Sequence, residues 1–191
     1  MKIEPDRTAI LSLDVQNDLV DSTDGVVETG MLERMAAILA AGRKNGLAVI
    51  HITASCREDF LDIPKDNPLW INLRNQKSMV FGTRGAEVHQ AVAPRESELI
   101  LNKTCVDPFL TTNLGQALHN ADANTLILFG LWTNYVVEAT ARHASDMGYR
   151  VFVVSDCCAS NDAENHQWAM DRILPTLSYV VTSKEVIDAI G

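Results

Sequence analysis

The sequence lacks the short motifs that identify several large enzyme classes. It has no GxSxG nucleophile elbow, no GxxxxGK[ST] phosphate loop and no GxGxxG dinucleotide turn, which argues against esterases, P-loop NTPases and Rossmann dehydrogenases. Its four cysteines form no CxxC pair, and its five histidines form neither HExxH nor HxH. The cysteine and histidine spacing therefore indicates no local metal site, and the cysteines are interpreted as reduced intracellular thiols.

Basic residues and long apolar runs are also scarce. The chain carries 16 Lys and Arg against 25 Asp and Glu, a formal net charge of −9. Such a charge repels phosphate backbones and anionic lipid surfaces, and no apolar run approaches the roughly 18 residues of a membrane span. We therefore expect a cytoplasmic protein that binds a small molecule, with no nucleic-acid or membrane partner.

The 191 residues do contain six short apolar runs, each closed by polar residues or glycine. They lie at 9–13, 47–52, 99–101, 125–129, 151–154 and 179–181. Runs of this kind are typical of strands buried on both faces. Segments with helical spacing separate most of them, at 31–45, 112–119, 136–147 and 162–174, with a last helix opening at Ser183. This alternation predicts a single domain over residues 1–191, a three-layer α/β/α fold with a six-stranded parallel sheet.

Two charged residues follow predicted strands at the end where such sheets bind ligands. Asp14 comes directly after the first strand, and Lys103 after the third. A buried carboxylate facing an ammonium group is either a structural ion pair or a catalytic one, and the spacing alone favours neither. The long polar segment 53–95 is predicted to be a loop that covers the site.

Longer motifs occur in a characteristic order along the chain. They are LDVQND at 13–18, GTRGAE at 82–87, Lys103, GLWTNYVVEATA at 130–141 and SDCCA at 155–159. In order and spacing the sequence resembles the isochorismatase-like hydrolases over nearly its whole length. That family includes nicotinamidases, N-carbamoylsarcosine amidohydrolase and isochorismatase, and the resemblance implies the strand order 3-2-1-4-5-6.

The resemblance implies a catalytic site with one member missing. Most of the family uses a Cys-Asp-Lys triad, in which Asp14 and Lys103 match the last two positions. The nucleophile position falls on Val136, whose side chain has no lone pair for attack on a carbonyl. The oxyanion hole would use the backbone amides of Trp132 and Val136, beside a cis peptide bond between Leu131 and Trp132.

The resemblance also implies the surroundings of the site. We expect it to need no metal and no cofactor, since the nicotinamidase metal ligands have no counterpart here. The chain is expected to form a homodimer or homotetramer. Apart from the resemblance, the residue types themselves predict that Thr133 and Asn134 cap the helix that follows and that His119, His143 and His166 lie on helix surfaces. The substrate-binding residues are predicted to be Gln16, Trp70, Phe109, Thr133 and Tyr135.

Three hypotheses for the function remain open at this point. One is a hydrolase that works without a thiol, with Asp14 as general acid and Lys103 tuning it. Another is a cysteine amidohydrolase inactivated by the substitution at Val136. The last is a non-catalytic protein that binds small molecules in the same pocket. The substrate class is a small amide, ureide or enol ether in either catalytic case.

Overall fold

A computed structural model describes residues 3–191, and a six-stranded sheet lies at its centre. Its strands are β1 (Thr8–Leu13), β2 (Ala48–Ala54), β3 (Leu99–Lys103), β4 (Thr125–Leu131), β5 (Arg150–Ala159) and β6 (Tyr179–Val181). They lie in the order β3-β2-β1-β4-β5-β6, and every neighbouring pair is parallel. The predicted parallel α/β fold and its strand order are confirmed.

Helices flank the sheet and alternate with its strands. They are α1 (Asn17–Asp21), α2 (Met31–Lys44), α3 (Pro68–Gln76), α4 (Pro108–Thr111), α5 (Leu114–Asn120), α6 (Glu138–Asp146), α7 (Ala163–Trp168) and α8 (Ser183–Ile190). Helix α2 illustrates the sequence pattern that predicts these helices. Its residues Leu32, Met35 and Leu39 recur at helical spacing and are buried. Gly46 then follows with φ of 76° and ends the helix. None of the helices in residues 3–191 is long and apolar enough to span a membrane.

The centre of the sheet holds the carboxyl ends of β1 and β4 very close together. Every residue of both strands is buried. A Cβ atom built on Gly130 would lie 1.9 Å from the carbonyl oxygen of Leu13, so only glycine allows this approach. The segments that leave β1 and β4, which begin at Asp14 and Trp132, are therefore neighbours.

Three predicted boundaries differ from the structure. Segment 53–95 is not all loop, since it contains α3, which begins at Pro68 with the Asn67 side chain accepting the N–H of Leu69. Five residues, Thr133–Val137, form a π-helical turn before α6 begins at Glu138. The helix predicted over 162–174 is also divided, as α7 passes into a second π-helical turn at Ala169–Ile173.

Candidate active site

A buried ion pair joins the carboxyl ends of β1 and β3. The Nζ atom of Lys103 donates to Oδ2 of Asp14 over 2.8 Å, and the two side chains are 4% and 7% exposed. Strand β2 lies between them in the sheet, and its Ile52 carbonyl accepts the N–H of Asp14 at 2.9 Å. With φ of 52°, Asp14 turns the chain out of the sheet directly after β1, a conformation that Asp tolerates better than most residues.

The other carboxylate oxygen of Asp14 makes the pair asymmetric. Oδ1 is buried and has no hydrogen-bond partner within residues 3–191. Burial raises the pKa of Asp14, because the charged form loses its hydration, while Lys103 opposes that rise. A carboxyl group with a raised pKa holds its proton to a higher pH than an exposed carboxyl group does.

Asp14 and Lys103 lie in the wall of a small cavity of about 40 Å³. Pockets that hold drug-sized ligands are roughly ten times larger, so this one fits only a small molecule unless its walls move. The lining residues are Asp14, Leu19, Ala54, Leu69, Trp70, Leu73, Met79, Lys103, Val106, Trp132, Tyr135 and Val136. Apart from the ion pair, these side chains are aliphatic or aromatic.

Val136 occupies the cavity wall together with the ion pair. Its side chain is buried, and it lies in the π-helical turn that follows β4. The peptide bond between Leu131 and Trp132, just before this turn, is cis. Where the resemblance places a thiol, the cavity therefore presents the two methyl groups of a valine, which can neither attack a carbonyl nor carry a proton.

The four cysteines all lie outside the wall of this cavity. Cys56, Cys157 and Cys158 are buried elsewhere. Burial raises the pKa of Cys158 to about 12 and also raises that of Cys157, so both remain protonated and unreactive at neutral pH. Cys105 is half-exposed, and its Sγ donates to the carbonyl of Asp107 at 3.0 Å.

Two of the three aromatic residues predicted at the substrate site, Trp70 and Tyr135, line the cavity, and so does Trp132, which is predicted for the oxyanion hole. Trp70 belongs to α3, whereas Trp132 and Tyr135 follow β4, and the rings of these two are 5.6 Å apart at a tilt of 48°. The indole N–H of Trp132 donates to the hydroxyl of Thr23 at 3.2 Å. The cavity wall on this side is thus formed by aromatic side chains.

Gln16 and Thr133 are absent from the lining, contrary to prediction. The amide of Gln16 donates to the carbonyls of Ala54 and Ala86, at 3.0 and 2.7 Å, and accepts the N–H of Ala54 at 2.8 Å. The Thr133 hydroxyl bonds Nδ1 of His166 at 2.8 Å. Both side chains are fully buried, so their polar atoms hold the surrounding segments together and leave nothing for a ligand.

Phe109 is also away from the cavity and stacks on the ring of His143, with 4.5 Å between centroids. His143 Nδ1 lies 2.6 Å from Oδ2 of Asp107. His143 and His166 lie partly exposed on α6 and α7, and both side chains also bond to other elements.

The expected helix caps are wrong. No side chain caps α6 or the π-helical turn before it. The Thr133 hydroxyl is taken by His166, and the Asn134 side chain accepts a hydrogen bond from the hydroxyl of Ser160. These two bonds tie the turn that carries Val136 to the segments that follow β5.

Sequence reasoning predicted Trp70 in the segment that covers the site but missed the other apolar residues of this ceiling. Leu69 and Leu73 of α3 have helical spacing and face the cavity together with Met79, a signal that the expected loop concealed. Asp18 holds this ceiling down, because its Oδ2 accepts the N–H of Met79 and the hydroxyl of Ser78, each at 2.9 Å. The segment that covers the cavity is thus anchored to α1, which follows β1.

Metal-binding geometry is not found within residues 3–191, where no group of three or more His, Cys, Asp or Glu side chains could hold an ion. His51 is buried in β2, and its Nε2 lies 3.2 Å from Oε2 of Glu98. Burial lowers the pKa of His51, which keeps the ring neutral at physiological pH. We therefore interpret His51 as a residue of the buried core.

Comparison with known proteins points to one family. The isochorismatase domain family matches residues 8–185. Maleamate amidohydrolase of Pseudomonas putida is 28% identical over 157 residues, covering 82% of this chain and 72% of that protein. Streptothricin hydrolase of Streptomyces noursei is 31% identical over 155 residues, which cover 81% of this chain but 50% of that protein. A cysteine hydrolase from Pseudomonas syringae pv. phaseolicola superposes with a TM-score of 0.88 at 26% identity, covering 100% and 95% of the two chains.

Proposed function

Because the chain belongs to the isochorismatase family of hydrolases, we propose that it cleaves a small enol ether by proton transfer from Asp14, with water as the nucleophile. One observation carries the proposal: Asp14 has one oxygen held by Lys103 and the other unpartnered, in a cavity where Val136 takes the nucleophile position. The site keeps a carboxyl group that can donate a proton, and none of the cysteines lines it.

The proposed reaction needs only a proton and a water molecule. Asp14 donates its proton to the terminal carbon of the C=C–O group, which forms a C–H bond and leaves an oxocarbenium ion. Water adds to the cationic carbon and returns a proton to Asp14. The resulting hemiketal collapses to a carbonyl compound and an alcohol, so the net change is the addition of one water. Lys103 stabilises the carboxylate that exists between the two proton transfers.

An enol ether suits this site better than an amide. Acid catalysis alone generates a reactive cation from an enol ether, whereas an amide requires attack by a nucleophile on an unreactive carbonyl carbon. The faces of Trp132 and Tyr135 in the cavity wall are suited to stabilise a cation next to them. Small amides and ureides remain the second substrate class, since two relatives are named as hydrolases of maleamate and streptothricin.

The first prediction is that turnover resists thiol alkylation. On a panel of small enol ethers, amides and ureides, we expect the protein to hydrolyse enol ethers, and to do so at the same rate before and after treatment with iodoacetamide. The physical reason is that no cysteine lines the cavity. Mass spectrometry of the treated protein should find Cys105 modified, as it is the one cysteine that is not buried. Loss of turnover in step with alkylation would contradict the proposal.

The second prediction concerns Val136→Cys, which places a thiol at the nucleophile position with little change in volume. We expect this variant to stay inactive on the amides and ureides of the panel and to keep the wild-type rate on an enol ether, because the proposed chemistry uses no nucleophilic side chain. Gain of amide hydrolysis that iodoacetamide abolishes would instead identify a cysteine amidohydrolase silenced by its valine.

The alternative function is non-catalytic binding of a small molecule, and the side chain of Val136 is the observation that favours it. A binding protein would be stabilised thermally by members of the panel without forming product. Any turnover by the purified protein excludes this alternative.

A further inference from the structure

The composition of the cavity wall bears on the charge of the ligand. We propose that the protein selects small, uncharged substrates and discriminates against their carboxylate counterparts. This inference rests on the proposed function for the location of the site, but it concerns binding and can be tested without turnover.

The cavity wall contains one positive and one negative side chain. Asp14 and Lys103 are the charged members of the lining, and they pair with each other at 2.8 Å. A ligand carboxylate has no unpaired cation to bind there. It would have to take Lys103 from Asp14, which would leave that carboxylate buried without its partner, or lie unpaired beside it. Both arrangements are unfavourable for a buried charge.

The small, mainly apolar wall offers an added charge little to replace its hydration. The cavity is about 40 Å³ in volume, and apart from the ion pair its walls are aliphatic and aromatic side chains. Among them Trp70 and Met79 are almost completely buried. An anion that entered would exchange its hydration for apolar contacts. An uncharged amide or ether would lose far less hydration free energy on entering.

The segment over the cavity is held in place by hydrogen bonds that do not involve a ligand. Asp18 accepts the N–H of Met79 and the hydroxyl of Ser78, and the N–H of Cys56 donates to the carbonyl of Met79 at 2.9 Å. A Cβ on Gly85 would lie 2.0 Å from Oδ1 of Asp18, so the chain approaches this carboxylate closely from the other side as well. The position of this apolar wall is therefore fixed by hydrogen bonds within the fold.

Two isosteric pairs of compounds test the inference, each differing by an amide against a carboxylate. They are propionamide with propionate, and maleamide with maleamate, all at neutral pH. Titration into ¹⁵N-labelled protein is followed at the indole N–H signals. Trp70 and Trp132 line the cavity, whereas Trp168 does not and is 62% exposed. We expect the amides to shift the first two signals with a Kd at least roughly tenfold lower than the carboxylates, and the Trp168 signal to stay in place.

A charge inserted into the wall should reverse the preference. Leu69 is half-buried in the cavity wall, so Leu69→Arg supplies an unpaired cation that can still reach solvent. Leu61→Arg makes the same change at a site that is 68% exposed and outside the lining. We expect Leu69→Arg to bind the carboxylates more tightly than the amides, and Leu61→Arg to behave as wild type. Val106→Lys serves the same purpose from another half-buried wall position if Leu69→Arg does not fold.

The outcomes separate this inference from the proposed function. Preference for amides without any turnover supports the inference and removes the catalytic proposal. Equal or tighter binding of the carboxylates by the wild type at the Trp70 and Trp132 signals overturns the inference, whether or not the protein is active. Failure of both wall variants to gain affinity for carboxylates relative to Leu61→Arg also overturns it.

Discussion

Replacing Asp14 by asparagine should lower the turnover of the preferred substrate by about 10²–10⁴-fold, the usual contribution of a general acid. An amide has no acidic proton to transfer, so the step that starts the proposed reaction is lost. The change is otherwise conservative. Asparagine tolerates the φ of 52° found at this position, and its amide oxygen can still accept from Lys103.

The measurement is kcat for wild type and Asp14→Asn below the unfolding temperature of both. Asp59→Asn is the matched control, because Asp59 pairs with Arg57 on the surface and does not line the cavity. The wild-type rate should also fall as the pH rises through the pKa of Asp14, which burial raises, since only the protonated acid donates. Unchanged turnover in Asp14→Asn would remove the general-acid role.

The fold could be predicted from the sequence because its strands are buried on both faces. Such strands appear in the sequence as continuous apolar runs, as in β4 (Thr125–Leu131). Because helices alternate with these runs, a parallel sheet is the arrangement that the sequence predicts. The π-helical turn at Thr133–Val137 could not be predicted in the same way. One extra residue in a helical turn redirects side chains without changing the apolar pattern that marks the helix.

The sequence predicts those residues of the candidate site that lie at the carboxyl ends of strands. Parallel topology places the residues that follow β1 and β3 at one edge of the sheet, so Asp14 and Lys103 meet. Side-chain direction in the irregular segments beyond these ends is set by local hydrogen bonds instead. Gln16 and Thr133 are close to site residues in sequence, but their bonds to Ala54 and to His166 turn them away from the cavity.

Removal of the cation from the buried pair is expected to have the largest effect on stability. Lys103→Met keeps a long apolar stem but leaves Asp14 buried without its partner, which costs about 3–5 kcal/mol in comparable buried pairs. The loss should depend on pH. In the wild type Lys103 counteracts the effect of burial, so its removal raises the pKa of Asp14 further above the ordinary value of 3.8. A carboxyl group whose folded pKa is raised favours the native state at a pH below its unfolded pKa, and that contribution disappears as the pH rises through the folded pKa.

Urea unfolding of wild type and Lys103→Met between about pH 5 and 8 measures the free energy of unfolding of each. We expect the difference between them to grow as the pH rises. Lys184→Met is the matched control. Lys184 also pairs with an aspartate, Asp188, but its side chain is 81% exposed, and such surface pairs contribute about 0–1 kcal/mol. A deficit in Lys103→Met no larger than that of Lys184→Met, or one that shrinks with rising pH, would show that Asp14 does not depend on Lys103 for its charge. The acid would then lack the partner that the proposed reaction assigns to its ionised form.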